Sequence, residues 1–305
     1  ACFDQRKSAV SSYPPWDRLA MGSVSSMIHV RCINLFCPLD ATRLEWGQRK
    51  PFSRQVHPPG CRPGQPFAMP DTAIRTQQLA LRSAYAAWCN RLYQLPTGGG
   101  LSAAHVQITA GCNQAFAVAL KALVREGDSV ALIEPYYFNH QSTLESMGVA
   151  LQYVPARAER GFLPDLDDVR ATLQRGVKAL IVISPNNPTG AIYPPGLLNA
   201  IADLCQRHSC WLVLDETYRE FLHDTEHNPP HHLLARPHWE RHVVLLYSFS
   251  KSLCIPGHRL GVVVAGAALQ AEIAKVVDNL QICAPRVAQL AVARALDEPV
   301  IHAWI

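Results

Sequence analysis

The stretch ALIVISPNNPTGAIYPPGLLNAIADLCQRHSCWLVLDETY, residues 179–218, carries the pattern that decides the fold. It opens on a continuous apolar run, 179–184, breaks at Pro185-Asn186-Asn187-Pro188-Thr189-Gly190, and resumes as a helix opened by Pro194 and Pro195 and running to about His208. A second apolar run follows at 211–215. Uninterrupted apolar strands need cover on both faces, and the order strand, helix, strand predicts a parallel pair. Outward from this unit the pattern repeats. Strands are predicted at 105–109, 129–134, 149–154, 243–249 and 261–265, and helices at 112–126, closed by Gly127, and at 166–174 after Asp165. Asp71 reads as the N-cap of an earlier helix whose Ile74, Leu81, Tyr85, Trp88 and Leu92 share one face. The expected class is α/β: three layers, with a mainly parallel sheet between helices on both faces.

Composition agrees with one large domain. Of 305 residues, 49% are hydrophobic and 17% charged, which excludes a disordered or solvating chain. The formal charge is +4, and it belongs to the leader: residues 1–70 hold nine Lys/Arg against four Asp/Glu, leaving the rest at −1. No concentrated basic face results, so nucleic acid is not the expected partner. Ten cysteines without a C-x-x-C pair fit neither a structural zinc site nor a secreted disulfide framework, and point to a reducing, cytoplasmic setting. No apolar run approaches the ~18 residues of a membrane span, and the start ACFDQRK lacks the apolar core of a secretory signal. Residues 1–66 contain eight prolines and one short apolar stretch, 28–37, and read as a poorly specified arm. Because the chain opens on Ala1, a trimmed or incomplete N-terminus is expected.

Ligands of open α/β sheets bind beyond the carboxyl ends of the strands. Those ends carry Gly111-Cys112-Asn113, Glu134-Pro135-Tyr136-Tyr137, Ser184 to Gly190, Asp215-Glu216-Thr217-Tyr218, and Ser248-Phe249-Ser250-Lys251. Singly these have ordinary readings: a solvated Lys, a helix-capping Asp, a turn Asn. Together they offer an amine, a carboxylate and a phosphate cradle, the set required by a phosphorylated aromatic aldehyde cofactor.

In order and spacing, S-P-N-N-P-T-G, D-E-T-Y and S-F-S-K, with Arg259 eight residues after Lys251, resemble the class I/II aminotransferases, pyridoxal 5'-phosphate enzymes of fold type I. The resemblance covers roughly residues 71–296. It implies an arm at 1–70, a cofactor-binding large domain at 71–296, and at 297–305 the start of a connection to a small C-terminal domain that this chain lacks. Lys251 matches the lysine that holds the cofactor and shuttles the α-proton. Asp215 matches the partner of the ring nitrogen, with His140 behind it, and Asn187 and Tyr218 match the groups on the ring's phenolate oxygen. Gly111, Cys112 and Asn113 hold the phosphate-helix positions. Ser248, Ser250 and Arg259 match further phosphate contacts, and Tyr137 the aromatic stacked on the ring. The catalytic set is therefore Lys251, Asp215 and Tyr218.

The implied reaction moves an amino group between an amino acid and a 2-oxo acid, in a homodimer whose active sites lie at the subunit interface. A carbon-sulfur lyase or decarboxylase using the same cofactor, and a non-catalytic regulatory domain, are the alternatives. The family's substrate-carboxylate arginine would lie beyond Ile305, so this chain reads as a fragment that binds cofactor and transaminates poorly. Its entry segment also departs from the family, with Phe67 the nearest aromatic. Two rival motifs carry less. His223 to His227 reads H-x-x-E-H, but Asn228-Pro229-Pro230 follows at once, against the helix a zinc site needs. Gly98 to Ala103 fits G-x-G-x-x-A but precedes a strand, so a dinucleotide site is not expected.

Overall fold

The computed structural model describes residues 71–222 and 229–304. All the described residues belong to one unit. In chain order the elements are α1 (Asp71–Leu92), β1 (Val106–Thr109), α2 (Cys112–Leu123), β2 (Ser129–Glu134), α3 (Phe138–Ser146), β3 (Ala150–Pro155), α4 (Leu166–Leu173) and β4 (Ala179–Ile183). Then come α5 (Pro195–Arg207), β5 (Trp211–Asp215), β6 (Val243–Ser248), α6 (Phe249–Ser252), β7 (Gly261–Val264), α7 (Ala267–Leu280), α8 (Arg286–Ala295) and α9 (Pro299–Trp304).

The seven strands form one sheet in the order β1-β7-β6-β5-β4-β2-β3. Only β7 runs against its neighbours, β1 and β6; the other pairs are parallel. Side chains alternate along each strand, and this alternation sorts the core into two layers. Leu180, Val182, Leu212, Leu214 and Leu245 pack on one face with Leu81, Tyr85 and Trp88 of α1 and Leu198 and Ile201 of α5. Ile181, Val213, Val244 and Val263 pack on the other with Phe116 and Leu120 of α2 and Ile273 and Val277 of α7. The architecture is three-layered and mainly parallel, as the apolar runs imply.

Boundaries differ where local chemistry intervenes. α2 ends at Leu123, three residues before the predicted end, because the β-branched Val124 already has extended φ and ψ of −126° and 156°. Phe249 leaves the predicted strand and opens α6, since the Ser248 side chain accepts from the Ser250 N–H and turns the backbone into a helix. Asp71 is the first residue of α1, one position inside the predicted cap. α3 was not delimited from sequence, and its only buried residues are His140 and Leu144, too few for a readable stripe. The predicted strand at 28–37, Phe67 and the H-x-x-E-H motif lie outside the described residues.

Candidate active site

Strand register assembles the site. Gly261, the first residue of β7, pairs with Thr109 of β1 on one side and Ser248 of β6 on the other. The loops after β1 and β6 therefore leave the sheet beside the residue preceding β7. Beyond this edge lies a cavity of about 340 Å³, lined by Cys112, Asn113, Tyr137, Asn187, Asp215, Tyr218, Ser248, Ser250, Lys251 and Arg259, together with Ile183, Thr217 and Pro256. Of the twelve residues named from sequence, ten line this cavity. Of the other two, His140 lies against Asp215, and Gly111 caps the helix that brings Cys112 and Asn113 to it.

One end of the cavity is built for an anion. Gly111 has φ +87° and offers no side chain to the first turn of α2, so the helix begins with uncapped N–H groups and the positive end of its dipole. A Cβ on Gly111 would lie 2.2 Å from Arg259 Nη2, and one on Gly261 would lie 2.4 Å from the Gly111 carbonyl carbon. Both positions are glycine because the guanidinium and two backbones converge there. Arg259 is held across the turn by donating from Nη1 to the Pro256 carbonyl at 2.9 Å and from Nη2 to the Ala110 carbonyl at 3.3 Å. The Ser250 hydroxyl is buried on the cavity wall and has no hydrogen-bond partner, so it is available to donate to a bound group.

The other end presents Asp215, 5% exposed at the end of β5. Its Oδ1 accepts from the Thr217 N–H at 2.9 Å, and its Oδ2 lies 3.4 Å from His140 Nε2 and accepts from the Cys112 thiol at 3.6 Å. Burial pushes the carboxyl's pKa up, but His140 and both the side chain and backbone N–H of Thr217 outweigh it and hold it below the usual carboxylate range. Asp215 is thus an anion ready to pair with a cationic nitrogen. Burial, then the Asp215 charge, raise the Cys112 thiol well above its ordinary value, so it stays a protonated donor. His140 stacks on Phe116 with centroids 4.0 Å apart. One oxygen of Asp215 closes the turn at Thr217 while the other faces His140 and Cys112; the short helix that follows is capped at Tyr218, so Asp215 is not the helix cap its place after a strand suggests.

Between these ends stands Lys251, whose Nζ lies 5.9 Å from the centroid of the Tyr218 ring. Asn186 and Asn187 divide their tasks. Asn186 Oδ1 accepts from the N–H and hydroxyl of Thr189 and fixes the loop, leaving the Asn187 side chain to the cavity. Tyr137 receives a hydrogen bond at its hydroxyl from Asn139 Nδ2 at 3.1 Å. Sequence reading missed Thr217, although its place two residues after a strand-end Asp is the Asx-turn signal that would have found it. The Cys112 contact to Asp215 had no such signal.

A doubly covered parallel sheet with an amine, a carboxylate and an anion cradle at the carboxyl edge defines a cofactor-binding α/β domain of the pyridoxal-phosphate type. The chain belongs to the family "Aminotransferase class I and II", whose profile matches residues 73–303. It is 35% identical over 204 residues to the aromatic aminotransferase ISS1 of Arabidopsis thaliana, covering 65% of this chain and 50% of that protein. It is 34% identical to the arginine–pyruvate transaminase AruH of Pseudomonas aeruginosa, covering 67% and 51%. Among solved structures, YbdL of Escherichia coli, described with a methionine aminotransferase function, superposes with a TM-score of 0.67 at 28% identity, over 73% of this chain and 58% of that one. The chain spans about half the length of the curated relatives it matches. Members of the family use pyridoxal phosphate, and the residues present fit it: the orphaned Ser250 hydroxyl and the Gly111 cradle suit its phosphate, ionised Asp215 its ring nitrogen, and Lys251 its aldehyde.

Among the described residues no helix is long and apolar enough to cross a membrane.

Proposed function

We propose that this chain is the cofactor-binding part of an aminotransferase that moves an amino group from an amino acid to a 2-oxo acid. The observation that carries the reading is the convergence on one cavity of the Lys251 amine, the Asp215 carboxylate and the Ser248, Ser250 and Arg259 donors. When bound, pyridoxal phosphate supplies an electron sink that stabilises negative charge at the substrate α-carbon. Each side chain then has a task set by its place. Arg259, Ser248, Ser250 and the N–H groups of Cys112 and Asn113 bind the phosphate by charge and hydrogen bonds. Asp215, kept ionised by its neighbours, would pair with the ring nitrogen and keep it protonated, with His140 orienting Asp215. Tyr137 would offer its ring to the cofactor, and Asn187 and Tyr218 would donate to its phenolate oxygen. Lys251 would hold the cofactor through its amine and, when that amine is free, would be the group that carries the proton from the substrate α-carbon.

Residues 71–296 act as the large domain in this reading, and the protein works in the cytoplasm as a homodimer. Relatives named for aromatic amino acids, arginine and aspartate show that the family frame admits very different side chains. The test is product analysis of the protein incubated with pyridoxal phosphate, a panel of amino acids and several 2-oxo acids. Stoichiometric new amino acid and new 2-oxo acid are expected. Ammonia with pyruvate, or carbon dioxide, would replace this reading with a lyase or a decarboxylase.

A further inference from the structure

The turn after β5 sends alternate residues into two environments. Asp215, Thr217 and Tyr218 line the cavity, whereas Glu216 and Arg219 are buried in the core at 2% and 3% exposure. Glu216 accepts from the Tyr93 hydroxyl at 2.6 Å and from His231 Nε2 at 2.9 Å. The Leu233 N–H donates to His231 Nδ1 at 3.2 Å, which leaves Nε2 to face Glu216. Against burial, His231 first and then Arg219, whose Nη1 lies 3.7 Å from Oε2, hold the Glu216 carboxyl below the usual carboxylate range. The same guanidinium donates to Tyr85 and Tyr93 at 3.1 and 3.2 Å and to Glu220 at 2.8 Å, and lies 4.0 Å from the Tyr247 ring centroid.

Such a network is a poor way to gain stability, because desolvating the ions costs as much as their attraction returns and apolar residues of similar volume would serve as well. What it fixes is direction. The Arg219 N–H also donates to the Glu216 carbonyl at 3.0 Å, so both ends of a one-turn loop are anchored by core side chains. Tyr218 lies between the anchors. Among the described residues its hydroxyl has no hydrogen bond, and its ring lies 5.9 Å from the Phe221 ring and 5.9 Å from the Lys251 amine, so the backbone clamp does much to set where it points. Asp215, by contrast, has its own ties to Thr217 and His140.

We infer that Tyr93, Glu216 and Arg219 are positioning residues that hold the β5 turn so that the Tyr218 hydroxyl, and secondarily the Asp215 carboxylate, face the bound cofactor. The inference rests on the reading of the cavity as a pyridoxal-phosphate site. Tyr93 is its sharpest probe, because it sits on the last turn of the chain following α1, is buried, and does not line the cavity. In the full-length protein, Tyr93→Phe removes the hydroxyl shared by Glu216 and Arg219 while keeping the ring. It is expected to weaken pyridoxal-phosphate binding roughly threefold to tenfold, the order of one lost buried hydrogen bond. It should also shift the pH at which the visible band of the bound cofactor titrates, in the direction given by Tyr218→Phe and by a smaller amount. Glu216→Gln, read the same way, should do likewise and serves if Tyr93→Phe does not fold. A lowered melting temperature with wild-type affinity and an unmoved band in the folded variant would overturn the inference and leave the network a purely structural one. A wild-type protein that shows no visible band with pyridoxal phosphate would instead refute the cofactor site itself.

Discussion

Asp215 and Glu216 are adjacent carboxylates, nearly equally buried and both held below the usual carboxylate range, yet they belong to different parts of the molecule. Asp215 opens onto a cavity and keeps one oxygen against His140 Nε2 and the Cys112 thiol. Glu216 is held by Tyr93, His231 and Arg219 and borders only a cavity of about 10 Å³. The alternation of side chains at the end of β5 separates them. The comparison teaches that a depressed pKa does not mark a functional group by itself: burial opposes both charges, partners rescue both, and only the open side distinguishes the cofactor contact from the anchor.

The largest break in this comparison removes the cavity's amine. Lys251→Ala should abolish amino transfer, with a loss of at least ~10²–10⁴-fold in turnover from the missing proton carrier alone, measured as single-turnover amino-group transfer. Next is Asp215→Asn, which keeps the shape and removes the charge. Turnover should fall roughly 10²–10³-fold, the scale of one preorganised electrostatic contact, while the melting temperature changes little. On the core side the expected outcome is inverted. Arg219→Met takes the guanidinium from a buried Glu216 that only Tyr93 and His231 still hold, and should cost about 3–5 kcal/mol of stability, read by denaturant unfolding, with a smaller loss of turnover than Asp215→Asn.

The smallest effect is one of pH. Because Asp215 has a folded pKa below its unfolded value, its contribution is fully present above the unfolded value of about 3.9 and is lost as pH falls through the lower folded pKa. Cofactor retention should therefore be flat with respect to Asp215 between pH 5 and 7 and decline only in stronger acid. A decline centred near pH 6, measured by cofactor absorbance after gel filtration, would contradict that sign.

Much of the cavity side was legible in the sequence, and little of the core side was. Strands were readable because doubly covered strands are continuous apolar runs; those at 129–134 and 211–215 coincide with β2 and β5 to the residue. The cavity residues follow from the strand ends, since parallel strands deliver their loops to one edge. Glu216 and Arg219 gave no signal. Residues of their types are mostly exposed, and their partners Tyr93 and Tyr85 are 123 and 134 positions away, on or just after a helix whose stripe reveals burial but not bonding. The antiparallel β7 was likewise unreadable, because a four-residue apolar run carries no direction. Yet its first residue, Gly261, is what draws Gly111 and Arg259 together.

The claim on which the rest depends is that the cavity seats pyridoxal phosphate on Lys251. Borohydride reduction of the cofactor-treated protein, followed by peptide mapping, tests it without relying on turnover. The account predicts a single stable label on Lys251; a label on another lysine, or none at all, would contradict it.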